Sequence, residues 1–277
     1  MLQVVGGGEN LVWSAADFEN FLEPRPDLVP DMEASLKRVV RLLASRRWPW
    51  RIHATYDESI RRFLDVFEEA SQEIPIDGIH WNIDHAETIS DESIERIVKL
   101  GGGIAIQHRM AFQGEYFIDR YGKEAVRRTP PIRRMLELGA PVGMGTDATR
   151  VASYNPWVAL YWLTTGRTIG GTPMYQDDNI LDREQALRLW TQGSAWFTSE
   201  EDEKGTIEPG KLADLAVLSG DFLTVADDDI QKLESELTVV DGKVVFAQGA
   251  FSDADPGVPP ASPDWSPVTP YGGYQGP

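Results

Sequence analysis

Apolar positions along the first two hundred residues alternate between two rhythms. Met32, Leu36, Val39, Val40 and Leu43 keep the three-and-four spacing of one helix face and predict a helix over 31–46. The run Arg51-Ile-His-Ala-Thr55 reads as a strand. Ile60, Phe63, Leu64 and Phe67 predict a second helix over 57–70, and residues 78–87 a second strand. Ser90 is placed to cap a third helix carrying Ile94, Ile97 and Val98, with Gly101 as its stop. Residues 102–107, "GGIAIQ", predict a third strand. Thr129-Pro130 opens a helix with Ile132, Met135 and Leu136 facing inward and Gly139 at its end. "PVGMGT" (141–146) is a fourth strand. Asp182 and Gln185 form a capping-box pattern for a helical tract over 182–198. The aromatics of "NPWVALYWLTTGR" (155–167) keep helical spacing and read as core.

Strands and helices in alternation predict a parallel sheet covered by helices. The strands lack clean alternation of apolar and polar residues, as expected when both faces are buried. After Gly205 the pattern changes. Residues 211–221 read as a strand, and 236–249 as a hairpin turning at Asp241-Gly242, a pair that tolerates positive φ. From Ser252 onward proline and glycine dominate, which predicts an extended tail. The expected organisation is an α/β domain over 1–200, a β portion over 201–251 and a tail over 252–277. The opening residues, "MLQVVGGGEN", look like a strand entered partway along; their glycines match neither common phosphate-loop pattern.

Composition narrows the function. Nine tryptophans supply ample apolar surface for a core, and the absence of cysteine excludes disulfides and thiolate metal sites. The expected setting is a reducing one, the cytoplasm. A net charge of −18 repels phosphate backbones, so nucleic acid is an unfavourable partner. No apolar run reaches the roughly 20 residues of a membrane span, and no secretory signal opens the chain.

The chemistry gathers at strand exits. His53, His85 and Asp147 each follow a short apolar run, at the carboxyl ends of three different parallel strands, the edge where α/β folds build their sites. Taken singly, each is an ordinary surface histidine or turn aspartate. Together, two imidazoles and a carboxylate suit Zn²⁺ or another divalent ion. Asp147 is also placed to carry a proton. Asp57, Asp84 and Glu87 are candidates for orienting the imidazoles. Gln107, His108 and Arg109 follow the third strand and Arg150 follows Asp147; of these Gln107, His108 and Arg150 are the candidates for substrate contact. His80, within the second strand run, reads as a packed or surface residue.

The phrases "HATYD", "DHAETI" and "GTDAT", in that order, then "GTIEPGKLADLAVLSGD" and "LTVVDGKVVF", resemble the amidohydrolase superfamily, in particular its YtcJ-like branch related to N-substituted formamide deformylases. The resemblance covers nearly all of residues 1–250. It implies part of a (β/α) barrel, about strands 4–8, and part of a small β-sandwich. It also implies that His53 and His85 are metal ligands and that Asp147 binds metal and shuttles a proton. The implied reaction is hydrolysis of a carbon–nitrogen bond in a small amide-like substrate. The chain departs from the family in lacking any His-x-His pair. At the position where this branch often has a lysine on strand 4, the nearest residue is Gln3. Two expectations follow: a C-terminal portion working with a complementary N-terminal half or as a homo-oligomer, or a non-catalytic fragment. A third is a binding protein that keeps the fold without turnover.

Overall fold

A computed structural model describes residues 4–17, 21, 22, 25, 27–148 and 150–257. The chain divides into two compact units. One comprises residues 1–211 with 221–233, the other 212–220 with 234–277.

The first unit is built on four parallel strands in the order β1 (Arg51–Ala54), β2 (Asn82–His85), β3 (Gly103–Gln107) and β4 (Val142–Gly145). Helices connect them: α1 (Met32–Ser45) precedes β1, α2 (Asp57–Glu73) joins β1 to β2, and α3 (Asp91–Lys99) joins β2 to β3. All four residues of β2 are buried, as a strand covered on both faces requires. The opening segment extends the sheet. Gly7 donates to the Pro49 carbonyl, Arg51 to the Gly7 carbonyl and His53 to the Glu9 carbonyl, a parallel pairing along the free edge of β1.

Packing follows the helical rhythm. Met32, Leu36 and Val40 of α1, and Ile60, Phe63, Leu64 and Phe67 of α2, are buried. Trp50 stacks on Trp81 at 6.1 Å, and Phe67 meets both rings edge-on. Ser90 caps α3 by accepting from Ser93, and Gly101 follows at φ 74°.

Three expectations change. Residues 110–126, assigned no element from sequence, form helices α4 (Met110–Tyr121) and α5 (Lys123–Val126). The apolar positions of α4 are interrupted by Gly114, which lets Met174 and Thr168 approach and blurs the periodicity. The helix expected from Thr129-Pro130 begins later, as α6 (Ile132–Glu137), with Pro131 at its cap and Leu136 only half-buried. The tract after Asp182 has its capping box, but α8 (Arg183–Arg188) passes into a π turn over Leu189–Gly193. The cause is contact: a Cβ on Gly193 would lie 2.2 Å from the Val142 carbonyl, so this turn packs directly on β4. The tract "PWVALYWLTT" is α7 (Pro156–Thr165), capped by Asn155 and buried on most sides.

The second unit carries an antiparallel sheet, β5 (Leu215–Leu218), β6 (Ser235–Val240) and β7 (Lys243–Ala247), in that order. Asp241 and Gly242 both take positive φ in the β6–β7 turn, as the dipeptide predicts. Residues 221–233 between β5 and β6 belong to the first unit, an excursion that the sequence did not announce. Gly249–Ala254 form a 3-10 turn at the start of the expected tail; residues 258–277 lie outside the described residues, as does Gln3.

Candidate metal centre

At their carboxyl ends the parallel strands bring together residues far apart in sequence. Register pairs His53 with Asp84 and Ala54 with His85 across β1 and β2. The two imidazoles pack edge to face with ring centres 4.3 Å apart. Glu9, at the end of the opening segment, lies between them. Its Oε1 is 2.9 Å from His53 Nδ1 and 2.8 Å from His85 Nε2. One ligand atom from each of Glu9, His53 and His85 lies within 4.8 Å of the others, and both histidines are buried.

The electrostatics fit a shared proton or cation. Hydrogen bonds from His53 and then His85 hold the Glu9 carboxyl well below the usual carboxylate range. Burial lowers the His53 pKa despite Glu9. Burial also works against a charge on His85, but Glu9, Glu87 and Asp84 outweigh it and raise that pKa. Of the two rings, His85 therefore holds a proton more readily. Two imidazoles and a carboxylate oxygen facing one point are a donor set suited to Zn²⁺ and other borderline divalent ions.

Left-handed backbone occurs on this rim, as it does at several other positions of the chain. His85 and Ala86 take φ of 79° and 56° in succession, and Asp147 takes 52°. Non-glycine residues in the left-handed region cost about 1–3 kcal/mol each and persist where their surroundings over-determine them.

The other predicted residues fall into distinct positions. Asp147 lies past β4 on the same rim, exposed, and is not one of the three clustered ligands; its charge acts on Arg51 together with those of Asp84 and Glu9. Asp84 is buried, accepting from Arg51 Nε at 2.6 Å and Asn82 Nδ2 at 2.8 Å. Asp57 is turned elsewhere: it accepts from the Ser90 backbone N–H at 2.8 Å and pairs with Arg61, tying α2 to the approach to α3. Glu87 is buried and pairs with Arg109 at 2.7 Å. Gln107 is buried at the end of β3, its Nε2 on the Ala105 carbonyl and its Oε1 without a hydrogen-bond partner. His108 is fully buried, and burial pushes its pKa down to about 4 against the pull of the Gly145 carbonyl. Arg150 is exposed. His80 stacks on Trp196 at 4.3 Å, away from the centre. A cavity of about 410 Å³, lined in part by Tyr56, Thr88, Phe117, Tyr121 and Arg128, adjoins the loops after β1 and β2 but has none of the three clustered residues in its wall.

Glu9 is the residue that sequence reasoning missed. Its signal was present: like His53, it ends a short run at a strand exit. The opening residues read as a strand entered partway along, but the glycines leave no apolar run directly before Glu9 to mark it as a strand-end ligand, and its pairing with β1 is short.

Comparison with known proteins gives the chain a family. Residues 1–246 match the model of the family described as "Amidohydrolase family". The putative amidohydrolase YtcJ of Bacillus subtilis is 26% identical over 217 residues, 77% of this chain and 40% of that protein. The N-substituted formamide deformylase of Arthrobacter pascens is 28% identical over 193 residues, 69% of this chain and 35% of that protein. Among solved structures, an uncharacterised metal-dependent hydrolase from Pyrococcus horikoshii superposes with a TM-score of 0.62 at 25% identity, over 75% of this chain and 41% of that one. The chain thus spans about two fifths of the length of these relatives. The match to the family model over most of its length establishes that it belongs to the amidohydrolase family.

Proposed function

We propose that this chain carries the metal-binding rim of a hydrolase acting on non-peptide carbon–nitrogen bonds of small amide-like molecules. The observation that carries the reading is the convergence of Glu9 Oε1, His53 Nδ1 and His85 Nε2. These three groups would hold a divalent cation, with Zn²⁺ the best match to two imidazoles and a carboxylate. When bound, such a cation supplies Lewis acidity, acidifying water and polarising a carbonyl. The parallel sheet and its helices would be a segment of a (β/α) barrel, and the antiparallel sheet part of a β-sandwich.

Around that point the residues divide the work. Asp147, exposed on the rim, accepts a proton from water and returns it to the departing amine. Gln107 offers an unpartnered amide oxygen, a fit for a substrate N–H, and Arg150 a cation for an acidic group. His108 stays neutral near pH 7 and acts as an uncharged hydrogen-bonding group. Glu87 and Asp84, each paired with an arginine, act on His85 through their charge and favour its protonated form. A second reading is that this chain binds metal without turning over by itself. The lack of any His-x-His pair favours it, and a complementary N-terminal half or a second copy would then be the partner.

The test is metal analysis of purified protein, stripped with chelator and dosed with Zn²⁺, beside hydrolysis of formamides and simple amides. One zinc per chain with turnover supports the first reading. One zinc without turnover supports the second. No uptake, in a folded protein, defeats both.

A further inference from the structure

Arg109 has no role in the chemistry above, yet its side chain is fully buried, an expensive place for a guanidinium unless its partners compensate. It follows β3 and reaches past the end of the adjacent β2 to the end of β1. A single nitrogen, Nη2, lies 3.1 Å from Thr55 Oγ1, just after β1, and 2.7 Å from Glu87 Oε1, just after β2. Its guanidinium also lies 5.2 Å from the centre of the Phe21 ring. Thr55 stands two residues after His53, and Glu87 two residues after His85.

The turn that Glu87 ends is the strained one. His85 and Ala86 hold left-handed φ in succession, and without an anchor they would relax toward ordinary strand geometry. The backbone ties this turn to the end of β1 at two points, the Ala86 N–H to the Ala54 carbonyl at 2.9 Å and the Thr88 N–H to the Thr55 carbonyl at 3.1 Å. Between them the Glu87 side chain adds the buried ion pair, with both partners essentially inaccessible to solvent.

We propose that Arg109 is a positioning residue that clamps the ends of β1 and β2 together and so fixes the spacing of His53 and His85 around Glu9. This rests on the metal-centre reading for its purpose, but the clamp itself is a property of the metal-free protein. Arg109 is suited to the task because the two N–H groups of Nη2 are fixed in the guanidinium plane and can meet two oxygens at once, whereas a lysine ammonium on a flexible stem gives up that fixed geometry.

Two measurements keep the clamp and the metal reading apart. The chain has four histidines, so long-range ¹H–¹⁵N spectra of the imidazoles are readable residue by residue. In metal-free Arg109→Met and Glu87→Gln variants, the His53 and His85 resonances should shift or broaden while those of His80 stay fixed; Arg109→Lys should lie between. Separately, Co²⁺ affinity, measured by competition with a chromophoric chelator, should fall by about 10–100-fold in both variants, the usual cost of losing a group behind the ligands. The double variant should lose little more than either single one, because both remove the same contact. If Arg109→Met does not fold, Glu87→Gln and Thr55→Val decide, since each removes one partner and leaves the guanidinium in place. Unchanged His53 and His85 spectra in folded variants would overturn the clamp. If the wild type takes up no Co²⁺ but the spectra shift as expected, the clamp stands and the metal reading fails.

Discussion

The rim of the parallel sheet and the β6–β7 hairpin are built on opposite principles. The hairpin pairs neighbours in sequence through one turn, Asp241-Gly242, and much of its surface is exposed: Val240, Val245 and Phe246 are each 41–48% accessible. The rim assembles Glu9, His53, His85, Glu87 and Arg109 from across a hundred residues, buries most of them, and holds strained φ angles at its centre. A locally encoded element has few cross-chain dependents, so a change there stays local. A convergent site depends on everything that sets its spacing, so changes there propagate.

The sharpest test of that contrast is loss of a ligand. Glu9→Gln or His85→Ala should abolish stoichiometric metal uptake while thermal unfolding remains cooperative. Retention of one Zn²⁺ per chain by Glu9→Gln would remove Glu9 from the centre. Next comes the scaffold: Trp81→Ala opens a cavity against Trp50 and Phe67 and should cost about 3–5 kcal/mol in denaturant unfolding. Gly193→Ala forces a methyl onto the Val142 carbonyl and should cost about 1–3 kcal/mol. In the hairpin the effects shrink. Gly242→Ala should cost about 1 kcal/mol for its positive φ, and Val245→Thr no more than about 0.5 kcal/mol. Equal losses from Gly242→Ala and Trp81→Ala would erase the distinction.

Acidity probes the rim differently. Asp17 is buried and accepts the backbone N–H groups of Thr55 and Tyr56 at 2.5 and 3.0 Å. Burial pushes its pKa up from 3.8 to about 7. Between those values the folded state binds the extra proton, so stability falls as pH rises from about 4 through 7 and the protonated form is the favoured one. Asp17→Asn should therefore flatten that part of the stability–pH curve, with its largest relative gain above pH 7. An identical slope in both proteins would show that Asp17 is ionised throughout. Metal uptake should run the other way, rising with pH, because the raised His85 must release its proton before it can bind a cation.

Much of this was legible in order along the chain. Amphipathic spacing located α1, α2 and α3, turn chemistry located the hairpin, and the polar residues after apolar runs marked His53 and His85 as rim residues. Helix α4 was not legible, because Gly114 and its neighbours break the apolar stripe. Asp57 was misleading: a carboxylate four residues after a rim histidine turned out to serve a helix junction. Sequence by itself therefore determined most of the elements and the alternation of strand and helix, since each depends on residues within a few turns of one another. Only the tertiary structure decided that Glu9 lies between the imidazoles, that Asp147 stands outside that cluster and that Arg109 bridges two strand ends. Those facts depend on parallel register, and parallel register is set by packing between segments that never meet along the chain.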